Sequence, residues 1–442
     1  MLRKYRIEIL VFLLIVTGFF VFALLHPPVQ PNDINEYIRA ARLISNDAAL
    51  FPQILEALED ELLFSKTGPV YPLILVVAGS LTDSFWPIFI LQLLLSFGSF
   101  LLMLNIFKPE PNMQVLLLAL VLIFPAQILF SNLLLPDIMF QFVIMLSAAL
   151  LMSYIHTGRI RILWFYQASV FFAILIHPIF YYFVLPNLIL FIFLYFKSKQ
   201  RLVFISSLIP IVLLIIVAGI NQQQTGYFHI STKRQAILTD EHLYYYIQEK
   251  AGKEQAEKTI SEIYMNCDRI PDVSRRMACL KESTHTLISE DKISYLLFRS
   301  KETLLALIDP GNEFLKRFIE RDISITGKIN AFAYEKNPIS SLDRLFSLPF
   351  YWILIVSVLL LLNVARIAGF LLYLFNRNFR IESRLFFLFM VITILILGPS
   401  PGTAQNVLPV FFLLSGGAIL QYGRWIKRYR ERKQPADELN PE

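Results

Sequence analysis

The sequence predicts an all-α polytopic membrane protein. It has about ten transmembrane helices, juxtamembrane helices in the first outer loop, and a mainly helical extracytoplasmic domain. Three observations carry that prediction. Of the 442 residues, 56% are hydrophobic and 17% charged, where a soluble domain averages about a quarter charged. The apolar residues gather into nearly uncharged runs such as Ile9–Leu25, Phe85–Phe107 and Leu202–Ile220. A helix needs about 20 apolar residues to cross the hydrocarbon, and few other structures satisfy their backbone polar groups there. Finally, the basic residues fall into alternate loops, as the positive-inside rule requires of cytoplasmic ones.

Taken in order, the expected spans are 8–25, 85–107, 113–131, 136–155, 162–177, 179–196, 202–220, 348–366, 384–399 and 405–422. Basic Met1–Glu8 precedes the first run, but His26-Pro27-Pro28 stands where a signal-peptide cleavage site would need small residues. The expectation is an uncleaved span with a cytoplasmic N-terminus. His177-Pro178 divides an apolar stretch too long for one crossing. Pro69–Leu81 is apolar but too short to cross, and reads as an interfacial or re-entrant helix. With that segment outside the membrane, Arg3, Lys108, Arg159, Lys197, Arg377 and the Arg424–Lys433 cluster share one side. Arg366 is expected at the cytoplasmic end of its span. The net charge of +6 then reflects topology and anionic headgroups, not nucleic acid.

This divides the chain into an N-terminal transmembrane module (1–220) containing the first outer loop (26–84), an extracytoplasmic domain (221–347), C-terminal spans (348–433) and a disordered cytoplasmic tail (434–442). Helical patterns occur at Asp33–Ser45 and Gln53–Leu63 in the first loop, and near Asp240–Lys250, Glu254–Met265 and Ile288–Ile308 in the domain. Both cysteines, Cys267 and Cys279, lie on the predicted oxidising side, which favours a disulfide over two free thiols. No histidine is spaced to make them a zinc site.

The polar residues at the outer span ends converge on one membrane face. Asp33 and Glu36 open the first loop, Lys66 precedes Gly68-Pro69-Val70-Tyr71-Pro72, Asp137 begins the fourth span, and His177 ends the fifth. An acid embedded at a span end costs several kcal/mol unless it is paired or hydrated, so each is a functional candidate. Each also has a plain structural role. Asp33 and Asp137 suit helix N-termini, His177 suits a buried hydrogen bond, and Glu36 suits a solvated helix face.

The sequence Asp33-Ile34-Asn35-Glu36-Tyr37, the Pro-rich short helix, the acid at the start of span four and the large late outer domain together resemble the GT-C superfamily. More closely, they resemble its mannosyltransferase and aminoarabinose-transferase branch, whose donors are polyprenyl-phosphate sugars. The resemblance covers nearly the whole layout, on short motifs. It implies Asp33 as the catalytic acid-base residue with Tyr37 beside it, the Pro-rich helix at Pro69–Leu75 with Tyr71, and Asp137 as the second acid. Two positions depart from the family: His177 stands where a basic residue is common, and Gln405-Asn406 stands where Arg-Tyr usually opens the last span. Either the contacts to the donor phosphate fall to Lys66, His177, Lys233 and Arg234, or the donor differs.

The implied chemistry is transfer of a sugar to a lipid, glycan or protein acceptor. One carboxylate takes the acceptor proton and cations stabilise the departing phosphate. Direct displacement inverts the anomeric centre, with Glu36 as a reserve base. A retaining route would need a second carboxylate, for which Asp137 is the candidate. A divalent metal (Mg or Mn) between Asp33 and Asp137 is left open. Two alternatives stand beside this reading. A transporter or flippase of lipid-linked saccharide would show repeated halves and midplane charges. A polymerase or ligase of the O-antigen type would depend on Arg234, Arg275 and Arg276. The expected location is a bacterial inner membrane, with the site facing the periplasm.

Overall fold

The fold was determined as a computed structural model. It describes residues 10–14, 17–18, 21, 34–45, 66–82, 84–108, 130–308, 350–397 and 408–433. Among these, regular structure is entirely helical. The expected span 113–131, nearly all of the first span, the Gln53–Leu63 pattern and the tail lie outside the described residues.

Helix α1 (Ile34–Ser45) and the short α2 (Val70–Leu81) come from the first loop. The twelve residues of α2 reach about 18 Å, well short of the hydrocarbon thickness of about 30 Å. Next come α3 (Trp86–Phe107), α4 (Asp137–Thr157) and α5 (Ile160–Ile176). A 3-10 turn (Pro178–Phe183) then leads into α6 (Val184–Ser198), placing the break at His177-Pro178. α7 (Arg201–Ser207) runs on through Leu208 into α8 (Ile209–Thr225), with Pro210 at the joint.

Among the described residues, five helical stretches are long and apolar enough to cross a membrane: Trp86–Phe107, Asp137–Thr157, Pro178–Ser198, Arg201–Thr225 and Ser357–Phe375. The protein is an integral membrane protein. Their outward faces carry bare apolar side chains such as Leu94, Ile189, Val212 and Ile215, which only lipid covers at no cost.

The polar domain is built from α9 (Lys233–Ala236), a π-helical turn (Ile237–Leu243), α10 (Tyr244–Ala251), α11 (Lys253–Cys267), α12 (Val273–Glu290) and α13 (Lys292–Ile308). Its small core gathers Leu243, Tyr246, Ile263, Met277, Leu280 and Phe298. The pattern read near Ile288–Ile308 resolves into the end of α12 and all of α13, divided at Asp291. Asp272 caps α12 by accepting the Arg275 backbone N–H at 2.7 Å. Cys267 and Cys279 form a disulfide joining α11 to α12.

The chain closes with α14 (Phe350–Phe375), α15 (Ile381–Leu397) and α16 (Leu408–Lys433). α14 corrects the expected end of its span. The helix does not stop at Arg366 but continues to Phe375. Arg366 is 4% exposed, and its Nε donates to Asn363 Oδ1 at 3.1 Å. A charge tolerated by such a partner does not end a span, which is why charge alone misplaced the boundary.

The basic loops meet at one face of the bundle. Arg380 donates to the Ile155 carbonyl, Lys197 pairs with Glu382, and the Arg424 guanidinium lies 3.9 Å from the Phe379 ring centroid. The ends of α4 and α6, the α14–α15 loop and α16 therefore share this basic face. By helix direction, Asp137, His177 and Asn221 lie at the opposite end.

The disulfide closes a loop across a sequence separation of 12. Loops of that size are stabilised by about 3 kcal/mol through the unfolded chain. Cys267→Ser is expected to lower the thermal midpoint of the polar domain, with reduction of the wild type giving the same shift. An unchanged midpoint after confirmed reduction would show that helix packing alone holds α11 on α12.

Candidate functional site

At the end opposite the basic face, segments far apart in sequence bring charged and aromatic groups together. Glu36 and Tyr37 lie in the first turn of α1. Lys66 Nζ donates to Glu36 Oε1 at 2.5 Å. With both side chains about a third exposed, the pair adds little stability, and its meaning is positional. Glu36 remains about a third exposed, so the pair sits on a partly solvated face of α1.

Between Lys66 and α2 stands Gly68 at φ 75°, where a Cβ would fall 2.4 Å from the Leu175 carbonyl oxygen. Only glycine lets this loop lie against α5.

Tyr71, fully buried, meets Tyr37 edge to face at 5.2 Å. Its hydroxyl accepts from Gln92 Nε2 at 3.4 Å, and the same amide donates to the Leu135 carbonyl at 2.8 Å. Leu135 immediately precedes Pro136 and Asp137. Asp137 is 3% exposed and opens α4, where the helix dipole favours a carboxylate. It lies within electrostatic reach of Tyr71.

From the polar domain, Lys233 Nζ donates to the Tyr37 hydroxyl at 3.4 Å and lies 5.9 Å from its ring centroid. Arg234 places its guanidinium 4.9 Å from the Tyr182 ring centroid. Glu36, Tyr37, Lys66, Tyr71, Asp137 and Lys233 thus form one cluster, with Arg234 on the neighbouring turn. His177 caps α5 and is buried, its ring 5.1 Å from that of Phe140. Asp33 and Gln405 lie outside the described residues. Among the described residues, no three His, Cys, Asp or Glu side chains gather as a metal centre.

Three residues enter the site that the sequence reading passed over. Asp240 projects from the π-helical turn, a distortion frequent at functional sites. It accepts the Tyr264 hydroxyl at 2.6 Å and lies within electrostatic reach of Lys66 and Glu36. The side chain is exposed at the edge of the cluster. Dehydration raises its carboxyl above the ordinary range. The Tyr264 hydrogen bond and Lys66 pull it down and Glu36 pushes it up, so dehydration prevails.

Gln92 and Gln141 are the other two. Gln141 is wholly buried one turn inside Asp137, and neither amide atom has a hydrogen-bond partner among the described residues. Their signal was available: amides are rare inside such apolar runs, and Gln141 follows Asp137 at helical spacing.

Beside the cluster lies a cavity of about 400 Å³, lined chiefly by apolar side chains. Gly68, Pro69, Leu175, Pro178, Leu214 and Ile230 form its walls, and Asn221 and Gln224 its polar rim. The loops that carry Lys66 and Lys233 therefore also wall an apolar slot. The arrangement suits an amphiphile with an anionic head. A scan of family models, a search of curated proteins and a search of solved structures each found no match for this chain.

Two outcomes follow. An unsatisfied buried polar group costs about 1–3 kcal/mol, so Gln141→Leu is expected to raise the thermal midpoint. A fall would reveal an internal partner such as bound water. For Asp240, the raised folded-state value means that the folded protein holds this proton more tightly than the unfolded chain does. Its contribution to stability is present below the unfolded value and is lost as pH rises through the folded one. The midpoint of Asp240→Asn relative to wild type should therefore rise as pH climbs from the ordinary aspartate value through the raised folded one. A flat difference across that window would place the carboxyl in open water.

Proposed function

We propose that this protein is a membrane glycosyltransferase moving a sugar from a polyprenyl-phosphate carrier to a lipid, glycan or protein acceptor. The observation that carries the reading is the joining of a cation-and-carboxylate cluster to an apolar slot. Lys66, Lys233 and Arg234 suit the phosphate, and the cavity beside Gly68 and Pro69 suits the first units of an apolar tail. The acceptor hydroxyl would lose its proton to Asp33 as base, with Glu36 in reserve. The lipid phosphate would leave as an anion stabilised by the lysines, with inversion at the sugar. Asp137, buried at a helix start, would orient the acceptor or share a divalent metal such as Mg or Mn with Asp33. Gln405 and Tyr37 would line the substrate site. His177 would act from behind the site through packing on Phe140 and not by direct phosphate contact.

The ten-span layout belongs to this reading. The basic face would be cytoplasmic, and the polar domain would cover the site from the periplasm of a bacterial inner membrane. A mid-span cation is what the transporter alternative would use, and Arg366 is one. Its bond to Asn363, which in turn donates to the end of α13, gives that charge a structural purpose instead.

The deciding experiment presents a panel of polyprenyl-phosphate sugars to detergent-purified protein, beside an Asp33→Asn variant, and measures sugar release or transfer. Release by the wild type and a loss of several orders of magnitude in the folded variant is the expected outcome. Silence across the panel with supplied acceptor lipids would overturn the enzyme reading. Equal release from both proteins would keep the enzyme and move the base to Glu36.

A further inference from the structure

Helix α13 carries an apolar stripe that the protein leaves uncovered. Ile293, Leu296, Leu297 and Leu304 are between 58% and 76% exposed, and their spacing places them on one helical face. The opposite face is fully engaged. Tyr295 and Phe298 pack around Tyr246, Glu302 is buried in an ion pair with Arg299 at 2.6 Å, and Lys301 reaches Glu249 of α10 at 2.9 Å. The helix is thus fixed in rotation, with its leucines facing away from the domain.

The other end of α13 shows what covers them. The Leu307 carbonyl accepts from Asn363 Nδ2 at 3.1 Å, and Leu307 packs on the main transmembrane core. Asn363 precedes the basic-face end of α14, at Phe375, by twelve residues or about 18 Å. In a hydrocarbon layer of about 30 Å, that contact lies roughly 12 Å beneath the opposite boundary. The last carbonyls of a helix have no partner within it, and an unsatisfied one in hydrocarbon costs several kcal/mol. Asn363 supplies a partner, and Arg366 bonds the same Asn363 through its Oδ1, bringing a positive charge towards the negative end of the α13 dipole. The leucine stripe also continues onto Leu354, Val358 and Leu361, exposed on α14.

We propose that α13 enters the bilayer from the site face with its C-terminal half, so that acyl chains of that leaflet cover Leu304 while Leu296 and Leu297 lie at the headgroup boundary. The polar domain is then held at a fixed depth as well as tethered. Tyr295 on the inner face lies within electrostatic reach of Arg234, so this depth also sets where the site cations stand relative to lipid headgroups. The inference is independent of glycosyl transfer.

Because both native cysteines are bonded to each other, single-cysteine spin labels can be placed without further changes. Ile293→Cys, Leu297→Cys and Leu304→Cys variants of the full chain would be labelled in nanodiscs of phosphatidylcholine and phosphatidylglycerol. Leu361→Cys serves as a lipid-facing control and Lys281→Cys as a water-facing one. Collision with oxygen should exceed collision with a water-soluble nickel chelate several-fold at 304, with the ratio falling through 297 to 293. Nickel access at 304 matching that at 281 would overturn the proposal. So would labels shielded from both reagents, which would mean that a second copy or another protein covers the stripe. Quenching of a Leu304→Trp variant by brominated lipid supplies a second reading without a label. Quenching no greater than in the wild type would count against insertion.

Discussion

The constraint on which this structure rests is that hydrocarbon supplies no hydrogen bonds. Every backbone group and charge below the headgroups must find its partner within the protein. That rule explains why the described membrane-spanning stretches are helical. It also explains why the exceptions are informative. The α14–α15 turn is tied to α4 through Arg380 and the Ile155 carbonyl, and Lys197 of α6 is neutralised by Glu382 of α15. Arg366 persists in mid-span because Asn363 and Ser415 take its N–H groups. Mid-span polarity here is mostly joinery.

Gln141 does not fit that account. The spans elsewhere show how amides are satisfied. Asn187 accepts the Tyr166 hydroxyl at 2.8 Å and donates to Gln167 Oε1 at 2.9 Å, linking α5 to α6 and leaving the Gln167 Nε2 without a partner among the described residues. Gln141 is equally buried and has no such link. It sits one turn beneath Asp137, next to the level at which Gln92 ties Tyr71 to the Leu135 carbonyl. Single unpartnered polar atoms also occur at Gln167, Tyr182, Tyr246, Glu382 and Arg384, so what marks Gln141 is that both of its amide atoms lack a partner among the described residues, one turn beneath the charged cluster.

How much was legible beforehand follows from the range of the forces involved. Helix existence and most span limits are local properties of apolar runs, so α3, α4, α6 and α8 fall close to their expected places. The disulfide was legible because two cysteines on one side leave a single pairing. Arg366 was misread because its tolerance depends on Asn363 one turn away and on Ser415 in another helix, and composition cannot see a partner. Asp240 was passed over because nothing near it in sequence marks it. Its meaning comes from Tyr264 and from Lys66 and Glu36, which only folding places beside it. The Lys66–Glu36 and Lys233–Tyr37 contacts likewise cross 30 and 196 residues, beyond the reach of any periodicity.

These long-range contacts also bear on how the site is kept in shape. α1 is held to the polar domain by Lys233 and to α2 by the Tyr37–Tyr71 ring contact, while Lys66 and Glu36 close the first loop upon itself. The Lys66 and Lys233 contacts are weak, because they are partly exposed, whereas the Tyr37–Tyr71 ring contact is buried. Rigidity must therefore come from what lies beneath: Gly68 pressed on the Leu175 carbonyl, and Tyr71 buried over Gln92. The division suits the proposed function, under which the cleft would admit and release an amphiphile. The buried layer fixes where the charges stand, and on the proposed function the weak upper contacts would let Lys66 and Lys233 exchange Glu36 and Tyr37 for a phosphate without unfolding the scaffold. An anion would displace the Lys66–Glu36 pair at little expense, freeing the Glu36 carboxylate at the moment a negatively charged substrate arrives.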